Sequence, residues 1–242
     1  MLRSLFQYSL LCLILISQHS FADERIKLIV PDFKPYTYYQ DGEFRGIGVE
    51  KIQQIFSHLG IEYRLSLAPN YGRAVDELKK GRAEGLFLAS ENEERNKLAE
   101  FSKAIMINRW SWFLPANSNL HPSQPSFKKK AEIATYLNTN THKWLEKNNY
   151  KVSYSPNDTK ALPRLLDKKR IRVVFLAELV FFESSKEQGI DPTRFLQVVE
   201  KEKPFGIYIS KDYLKKHPHF MRKLNDAIEA TLTHEVSLQS EN

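Results

Sequence analysis

Apolar runs of strand length alternate with runs of helical period along this chain, and that order restricts its fold more than any other feature. The run "IKLIV" (26–30) is short, β-rich and closed by Pro31, as a buried strand should be. In "GVEKIQQIFSHLG" (48–60), Val49, Ile52, Ile55, Phe56 and Leu59 share one helical face, and Gly60 suits the position just past a helix end. "IEYRLSLA" (61–68) alternates as a half-buried strand does, "YGRAVDELKKG" (71–81) reads as a short helix, and "GLFLA" (85–89) as another strand. A third helix begins within "ASENEERNKLAEFS" (89–102). This order predicts a parallel sheet with right-handed crossovers.

A looser segment follows, "NRWSWFLPANSNLHPSQPS", which passes from two tryptophans into loop composition. The alternation then resumes. Strands are expected in "EIATYL", "KVSYS" and "IRVVFL". Helices are expected in "NTNTHKWLEKNN", in "DTKALPRLLDKK" with an interruption at Pro163, and in "AELVFFESSKEQG". "PFGIYIS" is a final strand and "YLKKHPHFMRKLNDAIEATL" a C-terminal helix. Two α/β blocks are therefore joined near residues 107–113, with a second crossing near 203–208.

The chain opens with a charge at Arg3, an apolar run from Leu5 to Ser17, and the small residues Ser20 and Ala22. This is the pattern of a signal peptide cut after Ala22, with a retained membrane anchor as the alternative. Cys12, the one cysteine, lies inside the apolar run, so residues 23–242 hold no thiol and must rely on a packed core. A periplasm, where disulfides are allowed but not required, fits such a chain. The net charge of +7 is spread without a basic stripe, so a nucleic-acid partner is not expected. The histidines do not fall at metal-ligand spacings, and no cofactor motif is present.

Arg95 is the residue whose chemistry is least settled by its neighbours. Ser90 and Glu93 have the spacing of a capping box, and Glu91 and Arg95 are placed for an i,i+4 pair. Those features describe an ordinary helix start. A cation this early in a helix, however, gains nothing from the helix dipole.

Four segments, in order, resemble the bacterial extracellular solute-binding proteins of family 3, the periplasmic proteins of amino-acid-type ABC transporters. They are "PDFKPYTYYQDGEFRGIGVEKIQQIFSHLG", "APNYGRAVDELKKGRAEGLFLAS", "ENEERNKLAEFSKAI" and "KPFGIYISKDYLKKHPHFMRKLNDAI". Residues 114–202 match in element order more than in residues. The resemblance implies a two-lobed α/β architecture, the periplasmic binding protein type II fold, with two hinge crossings. A signal peptide (1–22) would precede a first lobe (23–107), a second lobe (108–207) and a return to the first (208–242). It also implies a monomer that closes on a small carboxylate-bearing solute and presents the closed form to a membrane permease or a membrane sensor.

The same resemblance supplies candidate site residues. Arg95 falls on the arginine that forks onto the ligand carboxylate in relatives, where a planar guanidinium gives two parallel charge-assisted bonds. Ser90 falls on a hydroxyl position and Asn92 on a second one, where relatives carry Thr. Phe33, Tyr36 and Tyr71 are expected as an aromatic wall, each with ordinary core or rim packing as the alternative. Arg73 stands near Tyr71 and is equally suited to a solvated helix start. Asn140 and Thr141 are the second lobe's expected contribution, with helix capping as the alternative. One departure matters. Where amino-acid binders carry an acidic residue for the ligand ammonium, this chain has Ala177, with Glu178 one place later. Either Glu178 takes that role or no ammonium is bound, because an unpaired buried ammonium is costly.

Two rival readings remain. A few proteins of this fold are dehydratases of cyclic carboxylates, and Glu178 is the one candidate general acid for such chemistry. A signalling role would act through a membrane sensor, since no kinase or cyclase sequence follows.

Overall fold

The computed structural model describes residues 25–240 of the chain, so the segment read as a signal peptide lies outside the described residues. The first block runs β1 (Ile26–Pro31), β2 (Tyr38–Gln40), β3 (Glu43–Arg45), α1 (Ile47–Leu59), β4 (Tyr63–Ala68), α2 (Tyr71–Lys79), β5 (Gly85–Ser90), α3 (Glu93–Leu98) and β6 (Ala99–Phe101). The second runs β7 (Met106–Pro115), α4 (Phe127–Lys130), β8 (Ile133–Ala134), α5 (Asn140–Lys147), β9 (Val152–Tyr154), α6 (Leu162–Asp167), β10 (Val173–Ala177) and α7 (Glu178–Glu187). The return is β11 (Phe195–Ser210), α8 (Lys211–Lys216) and α9 (Phe220–Ser240).

The main sheet has the order β4-β1-β5-β11-β7-β10-β8-β9. Each end is parallel, β4-β1-β5 on one side and β10-β8-β9 on the other. The expected parallel sheet is thus two parallel sheets, linked by the antiparallel strands β11 and β7. β11 is 16 residues long: Phe195 to Phe205 pair with β7, and Phe205 to Ile209 pair with β5. One continuous strand therefore ties the two lobes together.

Burial explains the elements. All six residues of β5 are buried, as are all five of β10, and both read as continuous apolar runs for that reason. α1 buries Val49, Ile52, Ile55 and Phe56, and ends on Gly60 in the left-handed region. Its start needs Gly46, where φ is 118° and an added Cβ would stand 2.4 Å from the Tyr36 carbonyl oxygen. α9 lies against α1, where Thr231 Oγ1 and His58 Nδ1 are 3.1 Å apart. A second aromatic core surrounds Trp112, whose ring centre is 4.2 Å from that of Phe175.

Three expectations need correction, and one further element was not expected. The segment read as loose contains the ten-residue strand β7, which alternates from Ile107 to Trp110 and is buried throughout from Trp110 to Leu114, with the polar Asn108, Arg109 and Ser111 breaking the apolar run. Pro163 stands in the first turn of α6 rather than inside a helix, where its missing N–H costs nothing. The C-terminal helix is broken at His217-Pro218 into α8 and α9. A short hairpin, β2-β3, turns through Asp41 and Gly42, both with positive φ as a tight primed turn requires.

Candidate functional site

β5 ends at Ser90, and the chain turns over two residues into α3. The cap of α3 is Asn92, not Ser90: its Oδ1 accepts the Arg95 backbone N–H at 2.8 Å. The capping box is therefore absent, and Ser90 keeps its hydroxyl for the interior. The Glu91–Arg95 pair does not form either. Glu91 accepts from Asn96 Nδ2 at 2.9 Å, while the Arg95 side chain folds inward and is 4% exposed.

Arg95 Nη1 donates to the Ser90 carbonyl at 2.7 Å, and its guanidinium carbon lies 5.0 Å from the Tyr71 ring centre. Among the described residues it forms no ion pair with a carboxylate, and its Nε is buried without a hydrogen-bond partner. Burial lowers its pKa from the ordinary guanidinium value, with Tyr71, Tyr208 and Glu94 acting in the opposite direction. Ser90 Oγ is likewise buried and unpartnered.

The opposite wall comes from α5. Thr139 caps that helix by accepting the His142 N–H at 3.3 Å, which frees Asn140 and Thr141 from capping. Asn140 reaches across the cleft, donating to the Ser90 carbonyl at 3.3 Å and accepting from Asn92 Nδ2 at 2.8 Å. Thr141 joins a hydroxyl chain in which Thr139 and Thr141 are 2.7 Å apart and Thr139 donates to the Tyr136 carbonyl at 2.6 Å.

Aromatic rings complete the walls. Phe33 stacks with Tyr36 (5.6 Å) and with Tyr136 from the other lobe (6.0 Å), and meets Tyr71 edge-on at 5.3 Å. Tyr71 donates its hydroxyl to the Leu88 carbonyl at 2.8 Å, and burial drives its phenol pKa upward. Burial also pushes the Tyr136 phenol up to about 12.

These groups enclose one interlobe cavity. It gathers Phe33, Tyr71, Ser90, Arg95, Asn140 and Thr141 from the sequence candidates, and adds Asn108, Trp110, Thr139, Ala177 and Phe205. The additions from β7 and β11, Asn108, Trp110 and Phe205, fall in the crossings expected near 107–113 and 203–208, from which no site residue was expected. Trp110 in "NRWSW" was the one visible sign. Four candidates stand outside the lining. Tyr36 lies behind Phe33 and donates to Asn108 Oδ1 at 3.3 Å. Asn92 caps α3 and holds Asn140. Arg73 points away, because Asn70 accepts its backbone N–H at 2.9 Å and its half-exposed guanidinium pairs with Glu77 at 3.0 Å. Glu178 opens α7 one residue beyond the lining Ala177, and its Oε2 is buried without a partner.

Outside the Phe33–Tyr136 stack lies a larger polar cavity of about 250 Å³, bordered by Asp32, Lys34, Asp158, Lys160, Glu183 and Glu187. Ion pairs cross the cleft at both rims: Lys34 with Glu187 and, at 3.9 Å, Glu183 on one side, Glu94 with Lys143 on the other. No group of three or more metal-ligating side chains occurs among the described residues, and no described helix is long and apolar enough to cross a membrane.

Solved structures share this architecture. The chain is similar to a histidine kinase sensor domain with similarity to periplasmic binding proteins (TM-score 0.71, 19% identity, 87% of this chain and 95% of that one). It is also similar to the GluR0 ligand-binding core from Nostoc punctiforme in complex with L-glutamate (TM-score 0.72, 16% identity, 89% and 96%). A third is the arginine-, lysine-, histidine-binding protein ArtJ from Geobacillus stearothermophilus (TM-score 0.70, 14% identity, 87% and 90%). No curated protein sequence matches the chain. At these identities the likeness establishes the two-lobed periplasmic binding protein fold and leaves the ligand to the residues of the cleft. A family model matches residues 26–235, nearly all that the structure describes, and the chain belongs to the bacterial extracellular solute-binding proteins, family 3.

Proposed function

We propose that the chain is an exported, monomeric binding protein that captures a small carboxylate-bearing solute between its lobes. One observation carries this reading: Arg95 is a buried guanidinium without an anionic partner, beside an unpartnered hydroxyl, in the interlobe cavity. A buried charge left unpaired is costly, and a carboxylate entering the cavity would remove that cost through charge-assisted bonds. Ser90 would supply a hydroxyl to the same anion, and Asn140 would bring the second lobe onto the loaded first lobe. The lobes would hinge where β7 and β11 pair, near Ile107 and Pro204. Closure would then give a membrane partner a surface that the open form lacks.

The partner favoured by the family is the permease of an ABC transporter. The likeness to a histidine kinase sensor domain supports a second reading, in which a membrane sensor reads the closed form. The capture step is the same in both, and the chain acts as a binder rather than a catalyst.

A thermal-shift screen against amino acids and other carboxylates tests the capture step. A ligand that binds only the native state adds about 2.7 kcal/mol at a hundredfold excess over Kd. The expected result is a carboxylate that raises Tm in the native sequence and not in Arg95→Ala. A panel without any shift, or a shift that Arg95→Ala leaves unchanged, would overturn the reading.

A further inference from the structure

We infer that the solute held by Arg95 is a carboxylate that carries no ammonium group beside it. The inference rests on the reading of the cleft as a carboxylate site, and concerns which carboxylates that site accepts.

The hydrogen-bonding inventory of the cavity is one-sided. Its sole charged lining residue is Arg95. The acceptors that an ammonium would need each already hold at least one donor. The Ser90 carbonyl takes Arg95 Nη1 and Asn140 Nδ2, Asn140 Oδ1 takes Asn92 Nδ2, and Asn108 Oδ1 takes the Tyr36 hydroxyl. The Thr139 and Thr141 hydroxyls bond each other, and Thr139 also bonds the Tyr136 carbonyl. Among the lining residues, what remains buried and unpartnered is the Arg95 Nε–H, a donor only, and the Ser90 hydroxyl, which can donate or accept, while the unpartnered Glu178 Oε2 belongs to a residue outside the lining. A group entering this cavity meets the Arg95 donor and a hydroxyl free to donate to it, so an acceptor fits it best.

The rings offer an ammonium no better place. The Tyr71 face is taken by Arg95 and the Trp110 face by Lys203, 5.9 Å from its centre. Phe33 is stacked between Tyr36 and Tyr136, and Phe205 packs edge-on against Tyr36. Ala177 presents a methyl group, while the Glu178 carboxylate lies outside the lining. An ammonium placed beside Arg95 would add like charge in a buried space with no acid in the lining to offset it.

The cavity has about 20 Å³ open to the centre of a water molecule, where about 10–15 Å³ already holds one water. That is space for a small polar head group rather than for a whole solute. Further atoms of the solute must extend into the neighbouring cavities, which share Phe33, Tyr71 and Arg95, or Trp110 and Asn140 with it.

The test is titration calorimetry with matched pairs that differ only by the ammonium: acetate and glycine, propionate and alanine, glutarate and glutamate, 5-guanidinopentanoate and arginine. The expected result is that at least one deaminated acid binds about tenfold or more tighter than its amino twin, with binding lost in Arg95→Gln. Equal or tighter binding of an amino acid overturns the inference while leaving the carboxylate site standing, provided that binding still needs Arg95. Loss of that amino-acid binding in Glu178→Gln would then identify Glu178 as the ammonium acceptor. If no pair binds, the carboxylate reading itself fails and the inference fails with it.

Discussion

The Arg95 guanidinium lies 5.0 Å from the centre of the Tyr71 ring, and both side chains are buried. The π-face and the Ser90 carbonyl are what the unliganded interior sets against a full positive charge. Neither is a counter-ion. Arg95→Leu should therefore leave the unliganded protein no less stable, and up to ~1–2 kcal/mol more stable, because burying an apolar group costs less than burying an unpaired charge. Urea unfolding of the two proteins without solute measures this. A loss of several kcal/mol in Arg95→Leu would mean that Arg95 is a structural strut.

Asn140 is the side chain that joins the lobes at the floor of the cleft, bonded to Ser90 and to Asn92. Asn140→Ala removes both bonds without touching the core of either lobe. With about 1 kcal/mol for a typical hydrogen bond, the closed population should fall roughly fivefold or more. Small-angle scattering should show a larger radius of gyration at unchanged Tm. An unchanged radius would show that closure does not depend on Asn140.

The ion pairs at the two rims, Lys34–Glu187 and Glu94–Lys143, are partly exposed and so open to screening. Because the screening length falls from about 10 Å at 0.1 M salt to about 3 Å at 1 M, added salt should favour the open form. The double variant Lys34→Ala/Lys143→Ala should lose most of this salt dependence. A salt response identical in the variant would place its origin elsewhere.

Glu77 accepts from Arg82 Nη2 at 2.6 Å and pairs with Arg73 at 3.0 Å, and the Arg82 hydrogen bonds hold its pKa down to about 2. A carboxylate whose pKa is lower in the folded state contributes stability above its unfolded value. That contribution is lost as pH falls from about 4.5 through about 2. Glu77→Gln should flatten the acid limb of the stability profile in that window and leave neutral-pH solute binding intact. A steeper acid limb in the variant would reverse the assignment. The same contacts explain why Arg73 is absent from the cleft, since its guanidinium is already spent on its own helix.

How far the site could be read in advance differs from residue to residue. β1, β4 and β5 declared themselves through apolar runs, α1 through its buried face and Gly60. Arg95 was singled out by the resemblance, since its neighbours alone suited an ordinary helix start. β7 was missed because Asn108, Arg109 and Ser111 interrupt its apolar run and loop composition follows it, and the charged run before Pro204 disguised the outer half of β11. The Asp41-Gly42 turn was a visible signal that the reading passed over. Ser90 and Asn92 exchanged roles for a geometric reason. Either side chain can cap a helix, and only the path from β5 into α3 decides which one is placed to do so.

What the sequence determined alone is local and periodic: the order of strands and helices, the two blocks, and the presence of an arginine close behind Ser90. Those features depend on residues a few positions apart. Which groups share the cleft depends on β11 bringing together segments far apart in the chain, so that Ser90 meets Asn140 and Phe33 meets Tyr136. That pairing, the missing counter-ion of Arg95 and the size of the cavity arise only when the two lobes stand face to face. Burial and unpartnered donors belong to the packed molecule, and no single segment carries them.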